Sequence, residues 1–239
     1  SASNESDTVL VQPGTYTENI IWPETNGIKL ISAGDSSNTI IDGGGLFSVI
    51  YVNPQSADID TTTIIKGFKI TNGGNDNISN GGGLFLKNAG LHIFECSISN
   101  NYSNKKGGGI YVEESFLNIN QSRISSNITA YISGYEHGGG GLHIACSNVK
   151  LLDVIVEDNS SEGCCSSSQG GGGIFTISDC ESNLHLINSV IRNNFSADQG
   201  GGIRIRFSTN LTLDNVNILE NKSNRSGGGL YLESTPNSE

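Results

Sequence analysis

The chain has 239 residues, and its 32 glycines lack the strict three-residue period of collagen. The formal net charge of −11 disfavours nucleic acid and anionic lipid as partners, because both select clustered Lys and Arg. No apolar run reaches the roughly 18 residues that a membrane-spanning helix needs, so no transmembrane segment is predicted.

Residues 1–42 are predicted to form an opening coil and cap, and residues 43–239 one continuous domain of repeated coils whose last coil is incomplete. In this domain, Gly runs that end before Leu or Ile recur at steps of 26, 32, 32, 29 and 27 residues, from Gly83 to Gly229. A second ladder lies between them at steps of 26, 32, 35 and 27 residues: Asn101, Asn127, Asn159, Asn194 and Asn221. Such self-similarity is typical of stacked repeats.

Aliphatic residues stand three, eight and ten positions before each ladder Asn, as Ile98, Ile93 and Leu91 do before Asn101. Two-residue alternation, broken once by a pair of non-core residues, is typical of short strands joined by a corner, and no helical period accompanies it. One coil cannot close a core alone, so neighbouring coils must bury one another's faces. The pattern predicts an all-β solenoid of stacked parallel strands, a parallel β-helix of about seven coils.

The Gly runs and the Asn ladder have structural explanations. No Gly is followed by Lys and then Ser or Thr, as a phosphate-binding loop requires. One Gly triplet per coil, always directly before a strand, indicates a turn of positive φ or a close approach of stacked backbones. Asn tolerates the left-handed conformation at corners, and stacked amides can hydrogen-bond from coil to coil. The N-x-S/T sequons of the ladder therefore argue weakly for glycosylation. Less constrained sequons begin at Asn77, Asn120, Asn210 and Asn224.

The opening VLVQPGTYTENI, followed by IKLISAGDSSNTIIDGGG, resembles the first coil of pectin-lyase-like right-handed parallel β-helix proteins. The repeated I/V-x-x-N and GGG-I/L are similar to the paired FxxN and GGA-I/L/V motifs of chlamydial polymorphic outer membrane proteins. In this chain Ile or Val replaces Phe, and the third Gly replaces Ala. The resemblance implies a right-handed solenoid with three strands in each coil. It says little about function, because this fold hosts lyases, hydrolases, adhesins and inert passengers alike.

One column of large side chains is predicted to point outward, between the two aliphatic residues that follow each Gly run. Its members are Phe85, Tyr111, His143, Phe175, Arg204 and Tyr231. Two explanations remain open. Large side chains can stack along a sheet and shield it, or a flat aromatic track can bind sugar rings or another protein.

The support for catalysis is weak. Glycoside hydrolysis needs paired carboxylates, and no outward column carries acids on successive coils. Lyases of this fold usually pair a basic residue with acidic calcium ligands, and the nearest candidates in this sequence are Glu95, Arg123, Lys150 and Asp153. Ordinary surface ion pairs are the competing explanation. HExxH, GxSxG and CxxC are absent, so no metal site and no cofactor are predicted, and Ca²⁺ is expected only under the lyase alternative.

The cysteines favour an exterior location. Cys146 and Cys180 follow equivalent strands on successive coils, and a disulfide between them is predicted. Cys96 occupies a core column as a small apolar residue, whereas Cys164 and Cys165 could be free, vicinally bonded or intermolecular.

The C-terminal GGGLYLESTPNSE begins a coil without a cap, so we expect either a fragment of a longer chain or a second subunit that covers this end. We expect a non-catalytic solenoid, secreted or displayed at the cell surface, with a structural or adhesive role. Its partners would be further copies of itself, or a glycan or protein bound at the aromatic column. The alternative is a polysaccharide lyase or glycoside hydrolase.

Overall fold

The computed structural model describes residues 4–56, 58–78, 80–130, 137–162, 169–177, 180–207 and 209–233. Every regular element in these ranges is a β-strand, which confirms the predicted all-β class. The strands contain two to six residues, which is the length that a corner-interrupted alternation of apolar residues allows.

The strands are numbered in the order in which they occur along the chain. The first nine are β1 (Thr8–Val11), β2 (Gly14–Thr17), β3 (Ile20–Ile21), β4 (Lys29–Ser32), β5 (Thr39–Asp42), β6 (Ile50–Val52), β7 (Ile64–Lys66), β8 (Lys69–Thr71) and β9 (Leu84–Lys87). The next nine are β10 (Gly90–Phe94), β11 (Ser97–Ser99), β12 (Tyr102–Ser103), β13 (Ile110–Glu113), β14 (Phe116–Asn120), β15 (Arg123–Ser125), β16 (Ile128–Thr129), β17 (His137–Gly138) and β18 (Leu142–Ala145). The remaining thirteen are β19 (Asn148–Leu152), β20 (Ile155–Glu157), β21 (Ser160–Ser161), β22 (Gln169–Gly170), β23 (Ile174–Thr176), β24 (Ser182–Ile187), β25 (Val190–Arg192), β26 (Phe195–Ser196), β27 (Ile203–Arg206), β28 (Thr209–Asp214), β29 (Asn217–Leu219), β30 (Lys222–Ser223) and β31 (Leu230–Glu233).

Three parallel sheets of eight strands each form the solenoid, and each turn of the chain adds one strand to every sheet. Sheet 1 is β1-β4-β7-β10-β14-β19-β24-β28, sheet 2 is β2-β5-β8-β11-β15-β20-β25-β29, and sheet 3 is β3-β6-β9-β13-β18-β23-β27-β31. The later coils also carry a five-stranded sheet 4, β12-β16-β21-β26-β30, and the pair β17–β22. The predicted parallel solenoid of about seven turns is confirmed. The sheets run without a break through residue 42, since β5 pairs with β8 just as β1 pairs with β4.

The register places equivalent repeat positions opposite each other. Ile98 pairs with Ile70 on one side and Ile124 on the other, and Leu91 pairs with Leu117. Columns of aliphatic residues therefore run along the axis, with successive members about 4.8 Å apart, and they are buried over the central coils. In the last coil Leu213 is 41% exposed.

Left-handed backbone at the corners explains where the apolar alternation breaks. Two corner positions have φ between 47° and 56° in each of the five coils from β10 onward, and a third position, directly after the sheet 3 strands, holds Asn88, Glu114 and Cys146 with φ of 48° to 53°. The first group, which follows the sheet 1 strands, is Glu95, Gln121, Asp153, Asn188 and Asn215. The second group, which precedes the ladder, is Asn100, Ser126, Asp158, Asn193 and Glu220. Asn and Asp tolerate this conformation better than other non-Gly residues, so the composition of these columns follows from backbone geometry.

The Gly runs serve two geometric needs. The first Gly of a run, such as Gly107 with φ 63°, occupies the left-handed region. The third Gly lies against the next coil, and a Cβ added to Gly109 would stand 2.6 Å from the carbonyl oxygen of Gly141. The Gly run therefore allows a tight turn and close packing of the backbones of neighbouring coils.

Replacing Gly109 by Ala is expected to lower the free energy of unfolding by about 2 kcal/mol or more, because the added methyl group collides with a neighbouring backbone that cannot withdraw. Gly14→Ala is the matched control, since a Cβ there meets nothing closer than 3.5 Å. Urea denaturation followed by circular dichroism measures both variants. Equal losses in the two would contradict this role of the third Gly.

Candidate functional site

The ladder asparagines form a continuous chain of hydrogen bonds inside the solenoid. Asn101, Asn127, Asn159 and Asn194 are at most 1% exposed. The Nδ2 of each donates to the Oδ1 of the next ladder Asn at 2.9–3.0 Å. The same Nδ2 also donates to a backbone carbonyl, for example that of Ile98 from Asn127. Each amide is therefore committed to holding neighbouring coils together.

The sequons fall into two groups according to the exposure of their Asn side chains. The four buried ladder amides are inaccessible to a glycosyltransferase in the folded chain, because they are hydrogen-bonded in the interior. Asn77, Asn210 and Asn224 are exposed, and Asn120 is half-buried with its Nδ2 3.2 Å from the Nε2 of His92.

A serine ladder, absent from the sequence-based expectations, supports a second corner. The Oγ atoms of Ser115, Ser147 and Ser182 accept hydrogen bonds of 3.1–3.2 Å from backbone N–H groups of the preceding coil. The sequence carries a signal for it, since a small residue stands two positions before the first aliphatic residue of each sheet 1 strand from β10 onward. These residues are Ala89, Ser115, Ser147, Ser182 and Thr209.

The large side chains on the outer side of sheet 3 stack as one column. Ring centroids are 4.7 Å apart between Tyr51 and Phe85, and 5.2–5.5 Å apart along Phe85, Tyr111, His143 and Phe175. The guanidinium carbon of Arg204 continues the column at 5.6 Å from the Phe175 ring and 5.4 Å from the Tyr231 ring. The sequence pattern missed Tyr51 because the Gly run before its strand ends at Gly45, five positions before Ile50, and not directly before the strand.

Most of this column is covered, and the expectation of an open aromatic track is corrected accordingly. Tyr111 is 4% exposed, His143 and Phe175 are fully buried, and Arg204 is 1% exposed. The covering layer includes the pair β17–β22, because a Cβ added to Gly138 would stand 2.8 Å from Phe175. Tyr51, Phe85 and Tyr231 keep partial exposure.

His143 is a neutral member of this covered column. Burial, followed by the nearby charge of Lys106, lowers the pKa of His143 well below its ordinary value. The Nδ1 of His143 lies 3.2 Å from the carbonyl oxygen of Gly138, which fits a neutral ring that donates from Nδ1.

Arg204 belongs to a buried ionic cluster. Its Nη1 lies 3.2 Å from Oδ2 of Asp198 and its Nη2 3.0 Å from Oε2 of Glu233. The Nε of Arg206 reaches the same Glu233 oxygen at 2.9 Å, and Nη1 of Arg225 reaches Asp198 at 3.2 Å. Burial lowers the pKa of Arg204, and the hydrogen bond to Glu233 opposes that shift. These contacts join the last two coils and leave the Arg204 head inaccessible to an external anion.

Three of the four residues of the lyase alternative line one groove, and the fourth, Lys150, lies apart from them. Glu95 pairs with Lys66 at 3.3 Å, and Arg123 pairs with Glu157, whose other oxygen binds Arg192.

Glu95, Arg123 and Asp153 line a groove of about 730 Å³ beside sheet 2, whereas Lys150 lines a separate groove on sheet 1. Glu95 and Asp153 are also corner residues of positive φ. Within the described ranges, no group of three or more His, Cys, Asp or Glu side chains is placed to hold a metal ion.

The cysteines have separate roles. Cys146 and Cys180 form a disulfide with a Cα–Cα distance of 5.3 Å, which joins two consecutive coils. Cys96 is buried, and burial raises the pKa of its thiol to about 11, so this thiol is a packing group. Cys164 and Cys165 lie outside the described residues.

These features define the chain as a β-helix repeat protein whose recurring polar residues hold coil to coil. Residues 95–113 match the family model described as the Chlamydia polymorphic membrane protein (Chlamydia_PMP) repeat. The matched segment runs from a corner residue through one ladder Asn and one Gly run. No curated protein and no solved structure matches the chain significantly. The part of the chain that the structure describes contains no helix long and apolar enough to cross a membrane.

Replacing His143 by Phe is expected to reduce the acid sensitivity of the fold. The folded-state pKa of His143 is lowered, so the unfolded chain binds more protons below about pH 6.5, and wild-type stability is complete above that pH and falls as the pH drops. Phe keeps the stacked ring and removes this proton uptake.

Urea denaturation at about pH 7.5 and about pH 5 measures how the free energy of unfolding changes with pH in the wild type and in His143→Phe. The contribution of His143 to this slope has a limit of about 1.4 kcal/mol per pH unit. His185→Asn on the outer face of sheet 1 is the control. An unchanged pH dependence in His143→Phe would contradict a buried neutral His143.

Proposed function

We propose that the chain is a non-catalytic β-solenoid displayed outside the cytosol, where it acts as a rigid structural element. The observation that carries this proposal is the bonding from coil to coil of the buried polar columns that recur along the repeat. The Asn ladder, the serine ladder and the Gly runs hold neighbouring backbones together, which is what a rigid structural element requires.

An exterior location has two independent supports. The disulfide between Cys146 and Cys180 is typical of oxidising compartments. The family whose repeat matches residues 95–113 is described as a membrane protein family. A surface-displayed solenoid accounts for both.

The enzymatic alternative receives less support from the geometry. Arg123 is held by Glu157, and Lys150 is separated from Glu95 and Asp153 by the corner between sheets 1 and 2. A lyase would need a free basic group beside its acidic cation ligands, and this arrangement does not favour one.

Surface display predicts that Lys150, which is exposed, reacts with a membrane-impermeant amine reagent on intact cells that produce the protein. Mass spectrometry of the recovered chain measures the modification, and lysed cells give the reference level. A cytosolic protein labelled in the same cells is the control. Modification only after lysis would overturn the exterior location.

The absence of catalysis predicts no turnover of polygalacturonate or of neutral polysaccharides by the purified chain, as measured by release of reducing or unsaturated ends. Turnover that disappears in Arg123→Ala with an unchanged unfolding midpoint would overturn the structural proposal and restore the lyase alternative.

A further inference from the structure

An open groove of about 740 Å³ lies on the outer face of sheet 1, where β14, β19 and β24 begin. The register sets its floor as two columns along the solenoid axis. The first column is Phe116, Asn148 and Asn183, and the second is Asn118, Lys150 and His185. Residues 58–61 contribute another part of the lining. The groove is therefore elongated and extends over three coils.

Phe116 is an exposed aromatic ring in this groove. It is 58% exposed, whereas Phe175 and Tyr111 on sheet 3 are buried. A ring held in solvent beside polar side chains offers a flat apolar surface to a partner, and a sugar ring presents a matching apolar face. The accessible aromatic platform thus lies on sheet 1, away from the covered column that the sequence pattern singled out.

The amides beside Phe116 are oriented by one another. Asn183 donates from Nδ2 to Oδ1 of Asn148, and Asn210 donates to Oδ1 of Asn183 at 3.1 Å. A side-chain amide has two N–H donors and two acceptor lone pairs, so after these bonds Asn148 and Asn183 each keep a donor and an acceptor for a ligand. Paired donors and acceptors suit hydroxyl groups, which need both.

The charge of the groove selects among sugars. Its lining includes Asp58, Asp60 and Glu114, all exposed, against the ammonium group of Lys150. Two hydrogen bonds from Thr62 lower the pKa of Asp60, so this carboxylate stays ionised at neutral pH. Three acids against one fixed cation repel uronate and sulfate groups, and the net charge of −11 adds to the repulsion.

We propose that this groove binds a neutral glycan chain, with the Phe116 ring stacked on a sugar and Asn118, Asn148 and Asn183 hydrogen-bonded to its hydroxyl groups. This binding function is additional to the structural role, and it does not depend on it.

The test is affinity gel electrophoresis of the whole purified chain in gels that contain a soluble β-glucan, a galactomannan or polygalacturonate. Oligosaccharides of the polymer that retards the chain are then titrated into it by calorimetry. We expect retardation by a neutral polysaccharide and none by polygalacturonate. Phe116→Ala should weaken binding about tenfold or more while the unfolding midpoint stays unchanged.

Phe47→Ala is the matched control, because Phe47 is an exposed Phe, 38% accessible, outside this groove. Asn118→Ala should also weaken binding. Retention on polygalacturonate alone, no retention on any of the three polymers, or retention that Phe116→Ala leaves intact would each overturn the proposal. These outcomes are separate from the cell-labelling result, so failure of the groove and failure of the exterior location can be told apart.

Discussion

The stacking of each coil on the next at the strand spacing of about 4.8 Å is the constraint on which the rest of the structure depends. Parallel register places every residue beside the residue of the same repeat position in the next coil, so each side chain must be able to pack against a similar side chain. Aliphatic groups do so by packing, and asparagine amides do so by donating to one side and accepting from the other. Glycine meets the demand by having no side chain where a carbonyl of the next coil would collide with one.

The same constraint explains how charge is distributed. A column of identical charges at this spacing would repel itself, and the ionic contacts instead alternate in sign between coils. Glu157 lies between Arg123 and Arg192, and Lys87 pairs with Glu113 on the next coil. Arg204 is the cationic member of the covered column on sheet 3, and it forms ion pairs with Asp198 and Glu233. Neutral His143 occupies the same column and has no ion pair with any residue that the structure describes, and burial keeps its pKa low.

The sequence predicted those parts of the fold that recur in every coil. The solenoid, the ladder from Asn101 to Asn221 and the purpose of the Gly runs all follow from period and spacing. The break in the apolar alternation marks the corners at Glu95 and Asp153, but it does not show that these residues themselves have a left-handed φ. The two acids were therefore interpreted as candidate catalytic residues. The cover over Tyr111 and Phe175 also escaped prediction. The short strands that provide it lie in the loops of variable length, where no repeat pattern survives. The groove around Phe116 depends on the shape that three coils make together, which no single position reveals.

The disulfide between Cys146 and Cys180 changes how the solenoid can yield to a pulling force. A stack held by nearest-neighbour contacts peels from its ends under tension, one coil after another. The two cysteines are 34 residues apart, and so they close one whole coil into a covalent loop. Traction applied from the C-terminal side can extend the chain up to Cys180, and the force then passes through the sulfur bridge to Cys146. The enclosed coil, from β19 to β23, is not lengthened, so it can leave the stack only as one closed unit and not strand by strand.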